Sequence, residues 1–534
     1  MGQRFNKKYL TGASIEFTAL VALLLAIFTP ALNIAAGRVT SQIYLALMLI
    51  TISALIAITC KRYILFPNAR ILMLGAIFPT YLLLLSVFNS TEILSLIGQT
   101  ERHLGAVTYL TCYLFYFVGA LLKLNRSGAL IRILMIVSCL EIFQFIFNYF
   151  KKLDIKNVGV FGNNNAESFF LCVMLVAISI YLIEKLNIKA VKIAFPILII
   201  FISFLLLIFI GSLQGPVGFI VTISLYFVYK VSNQNLNFPR LIGFFMSAAL
   251  IAFTVVVLLK DIPSKRIVDS NSFYERLEIY KTAISGITQS GFFGVGVDQF
   301  NEVYYRYNLS ENLKLVDNAH SIPLQLMITV GFFGLLFWSA IFISALRKSP
   351  KNLDPESKAM YFSILAYSIT GIVAIQVIGI EFIVFLMLGG IMANGAKLTN
   401  VRASPVAKWV QVCALTLLLT ITSFQFHSYT NVTSLLSQIM QSDESYNKNS
   451  EVFLGKLDTI YDLEVLLNAG RRSITIQDKR FGLLVMERML NVNHLDQRSI
   501  ALTLELAIMW SDPKLLDLGN SLNVRAKGGE PYEG

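Results

Sequence analysis

The chain has 534 residues with a mean hydropathy of +0.67, and 56% of its residues are apolar while only 14% are charged. Soluble domains carry about 25% charged residues, so an ordinary soluble enzyme is excluded. Forty Phe and 22 Tyr residues lie in long apolar runs, which also excludes disordered and collagen-like chains. The composition predicts a polytopic membrane protein.

The net charge of +12 is explained by membrane topology rather than by nucleic acid. A nucleic-acid-binding protein gathers Lys and Arg on one soluble face, whereas here they occupy short segments between apolar runs. The five Cys residues fall within apolar segments, without a CxxC pair or a Cys/His cluster of zinc spacing. We therefore expect no nucleic-acid partner, no disulfide, no metal site and no cofactor.

Apolar runs of about 20 residues, long enough to span a bilayer, recur along the chain. The first, residues 17–36, follows a basic stretch but has no convincing cleavage site, so it predicts a span rather than a signal peptide. Together the runs predict an all-α membrane bundle of about 12–13 transmembrane helices. Their centres lie near Leu24, Ile50, Pro79, Phe115, Leu140, Met174, Phe204, Ile223, Ile251, Phe333, Ile372, Met387 and Leu417.

The connections between these spans differ strongly in their content of basic residues. With a cytoplasmic N-terminus, the connections on that side carry about 21 Lys and Arg, against about 5 on the other side. Basic residues are retained on the cytoplasmic side, so this asymmetry predicts that the N-terminus is inside. An odd number of spans then places the C-terminal tail outside.

Residues 260–319 form an unusually long connection on the predicted outer face. Connections between bundle helices usually have about 2–8 residues, so a loop of this length indicates a function. Within it, Ser272 and Glu275 have capping-box spacing, apolar side chains follow at the helical period, and Gly291 ends the pattern. These features predict an amphipathic helix on the membrane surface or on the top of the bundle.

The tail divides the chain into two predicted domains, a membrane bundle at 1–427 and an extracytoplasmic helical domain at 428–534. Residues 457–467, 478–490 and 496–509 have the pattern of amphipathic helices. The segment 487–496 resembles a helix-to-helix turn of a tetratricopeptide-type array, and a small helical cap packed on the bundle is the alternative. Residues 527–534 are predicted to be a loose end.

Ionisable residues within the predicted spans are few, and each is a functional candidate because it is costly to keep there. Glu141 lies inside a span, Glu167 near the outer end of another, and Glu381 in the predicted outer turn of a helical hairpin. A proton relay through Glu141 requires a second buried charge at helical spacing, and the sequence has none. An interhelical hydrogen bond is the favoured interpretation.

The predicted outer face gathers polar residues that could bind an anion. Arg102 precedes a span, Asn163 belongs to an amide-rich loop, Gln214 lies in a tight turn, and Arg276 lies on the predicted loop helix. An Arg at a helix end often only reaches toward lipid headgroups, which is the plain alternative for each Arg alone. The convergence of these residues on one face favours a binding site.

A histidine stands at the same face. His320 follows Asn318 and precedes Pro323, and proline suits the first turn of a helix while disfavouring helix at the residue before it. His320 should therefore lie just before a span, at the outer membrane boundary. A helix cap is the alternative to a role as a general base.

An ordered series of motifs, spread over about residues 91–342, resembles the O-antigen ligase and polymerase superfamily, including its protein-glycosylating members. The order of the motifs and the predicted topology both fit, with a large outer loop followed by a His at the start of a span. The Arg-containing first loop at 101–105 also resembles that superfamily. The motifs are FGNNN at 161–165, GSLQG at 211–215, ERLEIYKTA at 275–283, GFFGVGVDQF at 291–300, NAHSIPLQ at 318–325 and GFFGL at 331–335.

The resemblance implies a glycosyltransferase at the outer face of the bacterial cytoplasmic (inner) membrane. It would take a glycan from an undecaprenyl-diphosphate carrier and transfer or polymerise it onto a hydroxyl of a lipid, glycan or protein acceptor, with the tail as a candidate contact for envelope proteins. Guanidinium groups match phosphate oxygens, so no metal is required if Arg stabilises the charge. The implied catalytic residues are His320 and Arg276, and the implied substrate-binding residues are Arg102, Gln214, Asn163, Asn318 and Arg306.

Two positions depart from the family pattern. Gln214 stands where the family's Ser-Arg-Gly turn usually carries Arg, and Ser321 stands where the His motif commonly continues with Asn. One diphosphate contact is then neutral, and Arg102, Arg266 or Arg306 would have to compensate.

Three other classes compete with this interpretation. A lipid-linked glycan flippase or other transporter is the main one, although such proteins usually have a central polar pathway and paired repeats. A scaffold that recruits partners through its tail is the second. A peptidoglycan polymerase is the third, with Asp269, Asp298 or Asp317 as its acidic group. Within the preferred class, ligation, polymerisation and protein glycosylation remain open.

Overall fold

The computed structural model describes most of the chain, and every regular element in the described ranges is a helix, which confirms the predicted all-α class. The predicted span near Ile251, together with Arg102, Arg266 and Asp317, lies outside those ranges. The described residues are 2–28, 38–60, 67–87, 95–96, 98, 104–150, 163–185, 194–234, 270–290, 292–307, 316, 318–395, 405–494 and 496–526.

The helices before the tail follow the order of the predicted spans and the predicted loop. In chain order they are α1 (Gly2–Phe28), α2 (Arg38–Thr59), α3 (Ala69–Val87), α4 (Ala106–Asn125), α5 (Ala129–Phe150), α6 (Asn164–Lys185), α7 (Ala194–Phe209), α8 (Gln214–Gln234), α9 (Ser270–Ser290), α10 (Phe300–Tyr307), α11 (Ile322–Thr329), α12 (Gly331–Leu346), α13 (Pro355–Thr370) and α14 (Ile378–Ala393).

Several of these helices have the length and composition of membrane spans. Among the described residues, four more apolar helical stretches are shorter, with 10–17 residues each. The set identifies a multi-pass membrane protein. The six long stretches found among the described residues are Leu10–Phe28, Ala69–Val87, Ala106–Asn125, Ala129–Phe147, Asn164–Lys185 and Trp409–Gln441.

One span is placed differently from the sequence prediction. The prediction centred a span near Ile372, whereas Ile372 lies in the turn between α13 and α14. The helix begins earlier because Asp354 caps it by accepting a hydrogen bond from the Ser357 N–H, at 2.9 Å, with Pro355 in the first turn. The first turn of α13 contains charged residues, so the apolar run from which the span was predicted did not include it.

The core of the bundle is centred on α14. Nearly all its side chains are buried, and α4, which packs against it, has 72% of its span buried. α6, which packs against α13, has 78% of its span buried, against 6% for Trp409–Gln441. Two glycines let α4 and α14 approach closely. A Cβ on Gly389 would lie 1.9 Å from the Tyr116 carbonyl oxygen, and one on Gly119 would lie 2.0 Å from the Leu386 carbonyl oxygen. Small residues of this kind set close helix packing in membranes.

Ion pairs gather at one end of the bundle, among residues that the sequence predicts to be cytoplasmic. Lys123 pairs with Asp354 at 2.7 Å and with Glu356 at 2.8 Å. Glu184 at the end of α6 pairs with Lys230 at 2.6 Å and with Lys358 at 3.0 Å. The opposite ends of α6 and α8 begin at Asn164 and Gln214. The two ends of these helices therefore carry different chemistry.

The tail begins within a helix of 37 residues, α15 (Pro405–Gln441), which runs through the predicted domain boundary at 428. The helices after it are α16 (Asp443–Leu454), α17 (Leu463–Ile476), α18 (Lys479–Asn493), α19 (Gln497–Met509) and α20 (Pro513–Ala526). The starts of α17 and α19, and those of α18 and α20, are each 34 residues apart. A period of about 34 residues is that of tetratricopeptide arrays.

We predict that Gly389→Ala lowers the thermal unfolding midpoint of the purified protein. The added methyl cannot be accommodated against the Tyr116 carbonyl, and overpacking of this kind costs about 1–3 kcal/mol. Gly12→Ala is the matched control, because the nearest atom to its Cβ is 3.9 Å away. If Gly389→Ala and Gly12→Ala had the same thermal unfolding midpoint, the α4–α14 contact would not be as tight as the structure shows.

Candidate functional site

A cavity of about 290 Å³ lies where the start of α8 meets α9 and the end of α13. Its wall combines one cation, one amide and two hydroxyl groups with aliphatic side chains. The cavity brings together Arg276 and Gln214, two predicted site residues that are 62 positions apart in the chain. The lining residues are Leu213, Gln214, Val217, Gly218, Arg276, Leu277, Tyr280, Ile369, Thr370 and Val373.

Arg276 is the one charged side chain among the described residues that line the cavity. None of the carboxylates in the described part of the chain forms an ion pair with Arg276, which lies on the first half of α9. The aliphatic side chains at the rim are largely exposed, with Val217 at 55% and Leu213 at 51%. A partly apolar wall weakens competition from water, so a guanidinium there binds an anion more strongly than one in open solvent.

The orientation of Gln214 is fixed by the neighbouring helix. Its Nε2 donates to the backbone carbonyl of Asn165, and Ser212 Oγ donates to Asn165 Oδ1 at 2.8 Å. Because a carbonyl can only accept, the NH₂ group must face Asn165. Gln214 Oε1 is buried and has no hydrogen-bond partner among the described residues. The amide therefore retains an unused acceptor beside the cavity.

Asn163 has a structural role in the described geometry. Its Oδ1 accepts from the Asn165 N–H at 2.8 Å and from the Ala166 N–H at 3.4 Å, so it caps α6. Asn163 itself does not line the cavity. Its connection to Gln214 is indirect, because Asn163 Oδ1 accepts from the Asn165 N–H and the Asn165 carbonyl accepts from Gln214 Nε2.

His320 lies immediately before α11, as the sequence predicts, and its backbone is held on both sides. Its φ of 51° is in the left-handed region, which is uncommon for a residue other than Gly. The His320 N–H donates to Asn318 Oδ1 at 2.8 Å, and the Tyr280 hydroxyl donates to the His320 carbonyl at 3.1 Å. Backbone held in a sparsely populated region is found most often at functional sites.

The same turn is supported from the next two segments. Gln325 Oε1 accepts from the Ala319 N–H at 2.9 Å, and the Ile322 N–H donates to the Gly371 carbonyl at 2.9 Å. Asn318 and Gln325 each keep a buried NH₂ nitrogen that has no partner within the described ranges. Among the described residues, the His320 turn therefore has two amide NH₂ groups without a hydrogen-bond partner. The turn lies near the α13–α14 turn, to which it is bonded through Gly371.

Tyr280 connects the cavity to the histidine. It lines the cavity one helical turn after Arg276 and bonds to the backbone of His320. Burial raises the pKa of the Tyr280 hydroxyl, opposed by the nearby Arg276, so the hydroxyl remains a donor at neutral pH. Sequence reasoning placed Tyr280 only on an apolar helix face; its spacing of four from Arg276 was the signal for a site role.

The remaining predicted residues are not brought into the cavity by the described geometry. Arg306 lies on α10 with an exposed side chain and does not line the cavity. Arg102 is outside the described residues, but Leu104, two positions later, donates its N–H to Asp298 Oδ2 at 3.0 Å. The predicted first outer loop is therefore attached, at Leu104, to the long loop.

The fold and this site define an all-helical, multi-pass membrane protein with a cationic cavity and a constrained histidine at the end of the bundle opposite its ion pairs. The family described as O-antigen ligase matches residues 197–339, a segment that includes Gln214, Arg276 and His320. This match supports membership of the chain in the O-antigen ligase superfamily. It covers the motifs from 211 to 335, whereas those at 101–105 and 161–165 lie outside the matched segment. The family suggests a glycosyltransferase-like activity, with a lipid-linked glycan and an acceptor as partners. None of the curated proteins compared with the chain matches it.

Proposed function

We propose that this protein is a membrane glycosyltransferase that uses an undecaprenyl-diphosphate-linked glycan and transfers or polymerises it onto an acceptor hydroxyl. The observation that carries the proposal is the junction of Arg276, Gln214 and Tyr280 in one cavity, with Tyr280 bonded to the His320 turn. The mechanism needs no cofactor. The reaction takes place at the outer face of the bacterial inner membrane, with the N-terminus cytoplasmic and the tail extracytoplasmic.

The cavity wall suits the lipid-linked donor in two ways. Arg276 can form a bidentate pair with phosphate oxygens, and Gln214 adds a neutral polar group where the family pattern has a second cation. Leu277 and Val373, both exposed at the rim, offer an apolar path for the start of a prenyl chain. A free diphosphate has no prenyl chain and so would not make this apolar contact.

His320 is the proposed general base. Imidazole accepts protons near neutral pH, so it can take the proton of the acceptor hydroxyl as that oxygen attacks the anomeric carbon. The bond from the anomeric carbon to the diphosphate oxygen breaks, and Arg276 stabilises the departing anion. Because the diphosphate is a good leaving group, base assistance matters more than acid assistance. A single displacement inverts the anomeric configuration.

We predict that Arg276→Lys lowers transfer at least tenfold in an assay with a lipid-linked donor. Lysine keeps the charge but loses the bidentate fork, and hydrogen bonds to charged groups contribute about 1.5–3 kcal/mol. Arg480→Lys, on the exposed face of the tail, is the matched control and should transfer normally. Full activity of Arg276→Lys would contradict a phosphate-binding role for the guanidinium.

We predict that His320→Ala keeps expression and donor binding but lowers transfer by roughly 100-fold or more, the usual scale for a general base. His427→Ala, an exposed histidine on α15, is the control. The anomeric configuration of the product is determined by NMR. Wild-type transfer by His320→Ala, or a product with retained configuration, would remove the base and leave His320 as a helix-entry residue. Flipping of the lipid-linked donor without transfer would favour the transporter alternative.

We predict that Ser285→Cys and Lys448→Cys, in a chain without its native cysteines, react with an impermeant thiol reagent in intact spheroplasts. Both positions are exposed, one on α9 and one on the tail. Lys351→Cys, exposed at the end with the ion pairs, should react only after lysis. The reverse pattern would overturn the proposed orientation.

A further inference from the structure

Two faces of the short helix α10 pack against different parts of the protein. Its first face, at spacings of three and four, contacts α9 and the His320 turn. This face forms one buried cluster, which consists of Phe300, Val303 and Tyr304 together with Ile279, Ala283, Ala319 and Ile328. Ile279 lies three residues after Arg276, and Ala319 directly precedes His320.

The second face of α10 binds the tail through three polar contacts. Asn301 Nδ2 donates to Asp496 Oδ2 at 2.9 Å, and Asn493 Nδ2 donates to Glu302 Oε1 at 2.6 Å. The Tyr305 hydroxyl bonds to Asn523 Oδ1. These contacts reach the ends of α18 and α20 and the start of α19.

Apolar packing and burial strengthen this contact. Tyr305 packs against a small cluster of tail side chains, Ile500, Leu522 and Ala526. Asp496 is fully buried and also accepts from Arg498 Nε at 2.9 Å, so its charge is paired. A contact that combines buried polar pairs with apolar packing fixes the relative position of its two sides more narrowly than either would alone.

We propose that the tail, through its contact with α10, positions α9 and the turn at His320. Asn493 and Glu302 are then positioning residues for Arg276 and His320. The tail contacts α10, and α10 packs through the shared cluster against α9 and Ala319. The path therefore reaches Arg276 in the cavity wall and, separately, the turn at His320. This inference rests on the proposed function for its effect on transfer, but the mechanical coupling is independent of it.

Glu302 offers a way to test the contact without changing its shape. Burial and the nearby Asp496 raise the pKa of Glu302 to about 7, opposed by the Asn493 hydrogen bond and by Arg306 on the same helix. Glu302→Gln is therefore close in shape to the protonated side chain and keeps an acceptor for Asn493. In the double variant Glu302→Gln with Asn493→Asp, the donor and acceptor exchange roles and the hydrogen bond is retained.

The experiment measures amide hydrogen exchange by mass spectrometry in the full-length protein, together with glycan transfer. We expect Asn493→Ala to speed exchange in 300–307 and in 270–290, and to lower transfer about tenfold, as expected for an unpaired buried acceptor. In the double variant, the exchange rates and the glycan transfer should both return to within about threefold of the wild-type values, because the hydrogen bond is restored. Exchange in α17 should stay at the wild-type level in each variant, which separates loosening of the contact from unfolding of the tail. Asn449→Ala, which removes a hydrogen bond to the Ser445 carbonyl within α16, is the control.

The outcomes separate the two proposals. Faster exchange in 300–307 with unchanged exchange in 270–290 would show that the tail holds α10 alone, and would overturn the positioning role. A double variant as impaired as Asn493→Ala would do the same. If the wild-type protein transfers no glycan, the proposed function fails, while the exchange data still decide whether the tail positions α9.

Discussion

The absence of water in the membrane is the constraint on which this structure depends. A backbone N–H or C=O in hydrocarbon must be paired within the protein, so spans are helices and every break in a helix needs its own partners. The breaks at the site end meet this requirement with side chains and with one another: the Ile322 N–H binds the Gly371 carbonyl, and Asn318 and Gln325 bind the turn between them. The polar groups that close these breaks are also the groups that shape the candidate site.

The two ends of the bundle differ in whether their charged side chains form ion pairs. At the end predicted to be cytoplasmic, Lys and Arg are paired with Glu and Asp, as in the contacts of Glu184. At the other end, Arg276 lines a cavity and forms no ion pair with a carboxylate of the described residues, and Gln214 Oε1 has no hydrogen-bond partner among them. Paired charges stabilise an end but bind no ligand, whereas an unpaired guanidinium beside an apolar wall attracts an anion. Within the part of the chain that the structure describes, the candidate site therefore coincides with a guanidinium that has no carboxylate partner.

The long loop and the tail extend this arrangement beyond the membrane. α9 brings Arg276 over the start of α8, and its Tyr280 holds the His320 carbonyl. α10 then joins α9 to the tail, whose helices repeat with the spacing of a helical array. A loop of this length would be costly to order by itself, since each residue loses conformational freedom. Packing on both faces of α10 offsets that cost.

The sequence by itself determined the all-helical membrane class, the loop helix, the helical character of the tail and the position of His320 before a helix, because these depend on local hydropathy, periodicity and proline. The tail helix predicted at 457–467 was placed too early, because the helix begins at Leu463 after a cap at Asp462. The order of the motifs in the sequence also predicted Gln214 and Arg276 as site residues. Only the tertiary structure decided that Gln214 and Arg276 share a cavity, that Tyr280 links them to His320, that Asn163 is a cap, and that Arg306 lies apart from the cavity. It also moved the span predicted near Ile372 to α13, because a cap at Asp354 outweighs hydropathy there. These facts depend on contacts between residues far apart in the chain, whose distances are set by how the helices pack and not by any pattern along the sequence.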